Sequence, residues 1–432
     1  MAFSRRQFLT AVGVSAASTA LASPLSMLYS NIAHGRSSRG QGYGPLLPDP
    51  NGLLDLPAGF TYQAFSREGS LMTDGTLVPG KHDGMAAFPG SDRTTILVRN
   101  HELSPTAAVG VVGPNKYDPS SKGGTTTLIV GPDRKLIKDY ASLAGTYRNC
   151  AGGPTPWGSW ISCEENTSTP ANDPNVTKKH GYNFEVPAKR LIPVRPKPLV
   201  EMGRFNHEAI AVDPRTGVVY QTEDRGDGLF YRFIPKQPGQ LDQGGKLQAL
   251  VIKGKPQTIT KTGFTVGQSL PVEWVAIENP DPDEDTVRVE GFAKGAAQFS
   301  RGEGVWYSNN EIYFCCTNGG TSGFGQIWRY EPEPNPNSNG ILTLFVESSS
   351  NAVLDAPDNI TVAPYNDLFI CEDGGGTQFV RGINMQGQVF PFARNALNDS
   401  EFAGVCFSTR PLTMFVNIQT PGITFAIWGP FI

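Results

Sequence analysis

Carboxylates recur at the heads of short apolar runs. Asp83, Glu208, Glu303 and Asp358 open the runs His82-Asp83-Gly84-Met85, His207-Glu208-Ala209-Ile210, Gly302-Glu303-Gly304-Val305 and Asp358-Asn359-Ile360-Thr361, and Glu401 stands before Phe402-Ala403-Gly404-Val405. A second set closes the runs that follow: Glu102, Glu164, Glu165, Glu223 and Glu372. Carboxylates crowded into one space raise one another's pKa, so either some are protonated or cations lie among them. Hard cations such as calcium take sets of carboxylate oxygens. Cys163, directly before Glu164-Glu165, would add a thiolate and so favour a transition metal beside the calcium. Arg301, two residues before Glu303, has the planar fork that binds phosphate bidentately. Arg225 is a second such candidate, Lys81 and His82 precede the first acidic run, and His101 and His207 each stand beside an acid. The same residue types also serve as turn caps, small buried residues and structural ion pairs. Convergence of many of them is what would make a site.

Convergence requires a repeat, and the chain repeats. Five units open on the acidic runs above, and a sixth, less regular one lies around residues 149–156. Each opening run is followed by a second apolar run ending in polar residues, such as Thr95-Ile96-Leu97-Val98-Arg99-Asn100-His101-Glu102 or Leu368-Phe369-Ile370-Cys371-Glu372-Asp373, and then by a third. Fourth strands follow the first five units. The expected fold is all-β: a six-bladed β-propeller with four-stranded blades. The last blade is completed by an N-terminal strand over residues 60–65, which removes the exposed edges. In an antiparallel pair, the start of the first strand and the end of the second share one face, so the carboxylates should meet at one mouth of the channel. Residues 236–300 exceed what a strand connection needs and read as an inserted loop around Asn279-Pro280-Asp281-Pro282-Asp283-Glu284-Asp285.

Composition agrees with this reading. Gly (49) and Pro (35) are abundant, as turn-rich β proteins require, and a net charge of −4 excludes the basic stripe of a nucleic-acid binder. The six cysteines match no zinc ribbon and no disulfide framework. The N-terminus, Ser4-Arg5-Arg6-Gln7-Phe8-Leu9-Thr10 followed by an apolar stretch to Ala22, reads as a twin-arginine signal peptide over residues 1–22. Residues 23–45 read as a linker and 46–432 as one propeller domain. The expected partner is the twin-arginine translocation machinery, with no stable membrane span, a monomeric state, and a periplasmic or extracellular location. Export of a folded chain suits a metal site assembled where Cys163 stays reduced.

Several segments together resemble the PhoX family of exported alkaline phosphatases. They include Asn149-Cys150-Ala151-Gly152-Gly153-Pro154, Gly203-Arg204-Phe205-Asn206-His207-Glu208-Ala209, Thr222-Glu223-Asp224-Arg225, Arg301-Gly302-Glu303-Gly304 and Cys371-Glu372-Asp373-Gly374, within a similarity running from about residue 45 to the end. The resemblance implies a phosphoric monoester hydrolase holding calcium and an oxo-bridged iron pair (Fe3+). It implies Cys163 as the cysteine ligand, with Glu164, Glu208, Glu303, Asp358 and Glu401 as acidic ligands and Arg301 as the phosphate-binding arginine. Asp83, Glu102, Glu165 and Glu372 are further metal candidates, and Arg225 and His207 further substrate contacts. The chain departs from the family in being short and in lacking a second basic phosphate ligand near Leu354-Asp355-Ala356. Two other readings fit the acidic mouth: a calcium-dependent propeller lactonase or phosphotriesterase, and a non-catalytic ligand-binding propeller.

Overall fold

The computed structural model describes residues 42–431. The signal peptide and most of the linker expected from the sequence lie outside the described residues. No helix among the described residues is long and apolar enough to cross a membrane.

The fold is all-β and propeller-like, a ring of twisted antiparallel sheets. Its inner wall is made by the strands His82–Pro89, Asn149–Pro154, His207–Val212, Gly302–Ser308, Pro357–Val362 and Phe402–Thr409. Each packs against the next, and Phe402–Thr409 packs back against His82–Pro89. The approach is close enough to exclude side chains. A Cβ on Gly84 would lie 2.5 Å from the Cα of Ala151, and one on Gly304 2.5 Å from the carbonyl oxygen of Asp358. Each inner strand pairs with a second strand in the same register, starting from His82 with His101, Asn149 with Glu164, His207 with Glu223, Gly302 with Cys316, Pro357 with Glu372 and Phe402 with Ile418. In every pair the register slips shortly after that start, a β-bulge that re-aims the strand head.

The outer strands vary. Thr61–Phe65 pairs with Ile423–Trp428, so a strand from the start of the described chain completes the last sheet. Leu54–Pro57 adds to the edge of Val389–Asn395. The sheet of Asn149–Pro154 has three strands rather than the expected four. Where a fourth would run, Pro193, Pro196 and Pro198 lack the N–H a ladder needs, and only the isolated bridge from Phe184 to Pro198 forms. Residues 236–300 are not simply a loop. Ser269–Ala276 pairs with Gly245–Ile252 on one edge and Gly340–Glu347 on the other, fusing two strand sets into a nine-stranded sheet. A short helix, Val287–Ala293, follows. The apolar faces fill the spaces between sheets, as where Phe230, Phe314, Trp328 and Tyr330 pack with Leu342 and Leu344. All six cysteines are buried and free.

Candidate active site

One backbone hydrogen bond recurs in all six strand pairs. The residue after the second strand donates its N–H to the carbonyl of a residue at the head of the inner strand: Glu102 to Lys81 (3.0 Å), Glu165 to Arg148 (3.0 Å), Asp224 to Asn206 (3.2 Å), Thr317 to Arg301 (3.0 Å), Asp373 to Ala356 (2.9 Å) and Gln419 to Glu401 (3.2 Å). The repeat therefore stacks three tiers at one end of the ring. Lys81, Arg148, Asn206, Arg301, Ala356 and Glu401 form one tier. Two residues on lie Asp83, Cys150, Glu208, Glu303, Asp358 and Ala403. Glu102, Glu165, Asp224, Thr317, Asp373 and Gln419 form the third. Lys81, Arg148, Arg301 and Ala356 share a left-handed φ of 47–52°, a conformation that costs a non-glycine residue of order 1–3 kcal/mol and persists only where the surroundings fix it.

Within these tiers Glu208, Glu303 and Asp358 each offer an oxygen within 4.8 Å of the other two, and Cys150, Glu165 and Glu208 each offer a ligand atom within the same separation. Glu208 belongs to both groups. Burial, then repulsion from Asp358, Glu165 and Asp83, holds the Glu208 carboxyl well above its ordinary value. Burial, then Asp224, Glu208 and Asp358, does the same to Glu303. Asp358 is pushed up to about 7 by burial and by Asp373. Glu165 is pushed up to about 8 by burial, against the pull of Arg148. Asp83 and Glu401 are likewise raised by burial and by one another's acidic neighbours, with Gln419 donating to Asp83 (3.2 Å) and Glu102 (3.1 Å).

Two guanidiniums answer this charge. Arg301 holds Asp224 through Nε and Nη2 (2.9 Å each) and Glu303 through Nη2 (2.6 Å). Arg148, at the equivalent position two residues before Cys150, reaches Glu102 (2.5 Å) and Glu165 (2.7 Å), again through Nη2. Neither Glu208 nor Asp358 has an ion-pair partner among the described residues. Buried carboxylates with too few protein cations form a donor set suited to hard metal ions, and the thiol of Cys150 suits its group to a softer one.

Not every residue expected at the mouth is there. Cys163 is wholly buried in an apolar cluster with Ile161, Leu199, Met202 and Ile210, where burial and the charge of Glu208 push its thiol up. Its register position, one before the strand end, is the one from which Asn100 and Asn417 reach the next sheet's inner strand. Cys150 takes the place among the carboxylates. Glu164 is spent on structure, accepting from the N–H groups of Tyr147, Gly181 and Tyr182 and from His180 Nδ1 (2.7 Å). Glu372 pairs with Arg381 (2.8 Å) and caps the N–H of Asp355. Glu223, at the same strand-end register, accepts from Tyr231 and Leu229. His207 lies against the ring of Phe205, and its Nε2 bonds the carbonyl of Gly203 (2.9 Å). His101 is held by Gly80 and Thr126. For Glu164 the physical reason is strand alternation: consecutive residues face opposite ways, so Glu165 reaches the mouth and Glu164 does not; Cys163 lies deeper along the strand, packed on Ile161 and Ile210.

Above the tiers lies a cavity of about 710 Å³. Arg148, Glu165, Asn206, Asp224, Arg225 and Arg301 line it, with residues of the segment 166–173. Arg225 is tied to Asp285 (3.0 Å) and Asn206 (3.3 Å). Cys150, Asp224, Asp373 and Arg148 are the site residues that the sequence reading passed over.

The model of the family described as alkaline phosphatase PhoX matches residues 41–135 and 120–422. The chain belongs to the PhoX alkaline phosphatase family. It is a phosphoric monoester hydrolase of that family. Among solved structures, it is similar to Pseudomonas fluorescens PhoX in complex with vanadate, a transition state analogue. The TM-score is 0.71 at 17% identity, over 90% of this chain and 98% of that one. A gluconolactonase from Xanthomonas campestris matches at a TM-score of 0.45 and 13% identity, over 90% of this chain and 99% of that one. No protein of curated function matches the PhoX-family chain.

Proposed function

We propose that this PhoX-family phosphatase works at the tiered mouth of a six-bladed propeller, in which the nine-stranded sheet is two blades joined by Ser269–Ala276. Glu208, Glu303 and Asp358 would hold calcium, and Cys150, Glu165 and Glu208 would hold iron. Asp83, Glu102, Asp373 and Glu401 supply a further acidic group for calcium. The observation that carries this reading is Glu208, buried, without an ion-pair partner and shared by both donor groups.

Bound cations supply charge neutralisation at the phosphate oxygens and activation of the nucleophile. The chain's own residues do the rest. Arg301 is fixed by its fork on Asp224 and by Glu303, so it meets a phosphate without reorganising. Arg148, oriented the same way by Glu102 and Glu165, is the second guanidinium of the clamp and supplies the second basic ligand that the sequence lacks near Leu354-Asp355-Ala356. The Nη1 groups of both have no protein acceptor among the described residues and remain for phosphate oxygens. Asp224 and Glu165, which line the cavity, hold the two guanidiniums toward it. The similar Pseudomonas fluorescens protein was solved with vanadate, a transition state analogue, which supports phosphate chemistry on this fold. The Arg5-Arg6 signal supports export by the twin-arginine route to the periplasm or beyond.

The test is hydrolysis of a simple phosphomonoester by the full chain supplied with calcium and iron, beside Arg301→Ala. Turnover that requires the metals and falls at least a hundredfold in the variant is expected. Metal-independent turnover, or a variant equal to wild type, would overturn the assignment.

A further inference from the structure

The cavity has a second half that phosphate does not need. Arg148, Arg301, Asp224 and Glu165 account for the phosphate end. The remaining lining comes from the segment 166–173, together with Asn206, Gly226 and Arg225, whose guanidinium is paired with Asp285. No aliphatic or aromatic residue lines the cavity among the described residues.

Three asparagines in this lining share one arrangement. The side-chain oxygen of Asn166 accepts the N–H of Ser168 (2.7 Å), that of Asn172 accepts the N–H of Thr169 (2.8 Å), and that of Asn206 accepts from Arg225 (3.3 Å). Each amide is thereby oriented, and each Nδ2 has no protein acceptor among the described residues. An oriented donor in a cavity wall is a recognition element, because a ligand that cannot meet it leaves it unpaired. Beside them lies Asp173, whose carboxylate is held below its ordinary value chiefly by the N–H of Asn175 and so stays charged. Donors and a nearby negative charge together favour a neutral group that both accepts and donates hydrogen bonds. With Arg225 already paired to Asp285, Asp173 disfavours a second anion here, and an aryl group would find no ring to stack on and would desolvate the amides.

We infer that this wall is a leaving-group subsite for hydroxyl-rich alcohols, so that the preferred esters are polyol or sugar monophosphates rather than aryl or alkyl ones. The inference rests on the phosphatase reading and deepens it.

The experiment uses the full-length, metal-supplied protein and stable phosphonates, which avoids differences in leaving-group reactivity. Inhibition constants are measured for 3,4-dihydroxybutylphosphonate, butylphosphonate, phenylphosphonate and inorganic phosphate. The dihydroxy compound is expected to bind roughly tenfold more tightly than the butyl compound, the effect of one to two added neutral hydrogen bonds. Asn172→Asp keeps the oxygen that caps Thr169 and removes the Nδ2 donor. It is expected to cut the dihydroxybutyl-to-butyl ratio severalfold, and a merely structural role for Asn172 would not move that ratio. Equal or tighter binding of the butyl or phenyl compound by wild type overturns the inference while leaving the phosphatase reading intact, and so does an unchanged ratio in the variant. Failure of inorganic phosphate to inhibit at all, with no ester hydrolysed, overturns both.

Discussion

Exchanging each of two cysteines for serine separates the two positions that sequence alone confuses. Cys163 is fully buried among Ile161, Leu199, Met202 and Ile210. A serine there buries a hydroxyl in apolar surroundings, at a cost of about 1–3 kcal/mol, and Cys163 Sγ belongs to neither donor group. Cys150 is different. Its Sγ lies 3.3 Å from the carbonyl of His207, so a serine hydroxyl keeps a partner and the stability cost stays below about 1 kcal/mol. What it loses is the soft donor beside Glu165 and Glu208. Loss of a thiolate from an iron site lowers affinity by at least about tenfold, or ~1.4 kcal/mol. Iron content by elemental analysis, the thiolate-to-iron absorption band and the thermal midpoint are measured on both variants. Cys150→Ser is expected to lose the band and most of the iron with little change in midpoint, and Cys163→Ser to keep the iron and melt lower. Iron lost from Cys163→Ser and retained in Cys150→Ser would refute the reasoning.

Arg148→Ala is expected to raise KM and the inhibition constant for inorganic phosphate by about tenfold to a hundredfold, with Arg148→Lys recovering part of it, because a point charge replaces a fork; equal constants for wild type and both variants would remove Arg148 from the clamp. Glu164→Gln is expected to destabilise the chain by roughly 1–3 kcal/mol without changing metal content, since it sets an NH2 group against one of two donor pairs, Tyr147 N–H with His180 or the N–H groups of Gly181 and Tyr182. Acid should weaken the fold through the buried histidines whose pKa is lowered, His82, His101 and His207. Burial pushes His207 from 6.5 down to about 3, so its stabilising contribution is present above pH 6.5 and is lost as pH falls toward 3. The full effect is about 5 kcal/mol. A shallower loss of thermal midpoint between pH 7 and 4 is expected for His207→Gln than for wild type, and parallel slopes would contradict it.

The acidic heads of the inner strands were legible because the same residue type recurs at the same place in successive units. Glu208, Glu303 and Asp358 meet for that reason. Cys150 was hidden because its unit carries a thiol where the others carry an acid, and its Gly-rich run Ala151-Gly152-Gly153 blurs the strand pattern. One signal was available: Arg148 stands two residues before Cys150 as Arg301 stands two before Glu303. Adjacent acids such as Glu164 and Glu165 could not be told apart, because which of two neighbours faces the mouth is set by register. The recurring bond from the second strand's exit to the inner strand's head fixes that register. Ser269–Ala276 reads as loop because Pro271 and Glu273 interrupt its apolar pattern, and it is a strand because it bridges two edges.

Metal occupancy against turnover tests the central claim most directly. The full-length protein is stripped with a chelator and reloaded with calcium and iron in steps, in wild type and Glu208→Gln. Phosphomonoester hydrolysis and bound metal are followed together. Turnover is expected to vanish on stripping, return with the metals in wild type, and stay below about one hundredth of that level in Glu208→Gln with both metals bound weakly. Full turnover by the stripped protein, or a Glu208→Gln variant that binds both metals and turns over like wild type, would contradict a cation site built on Glu208.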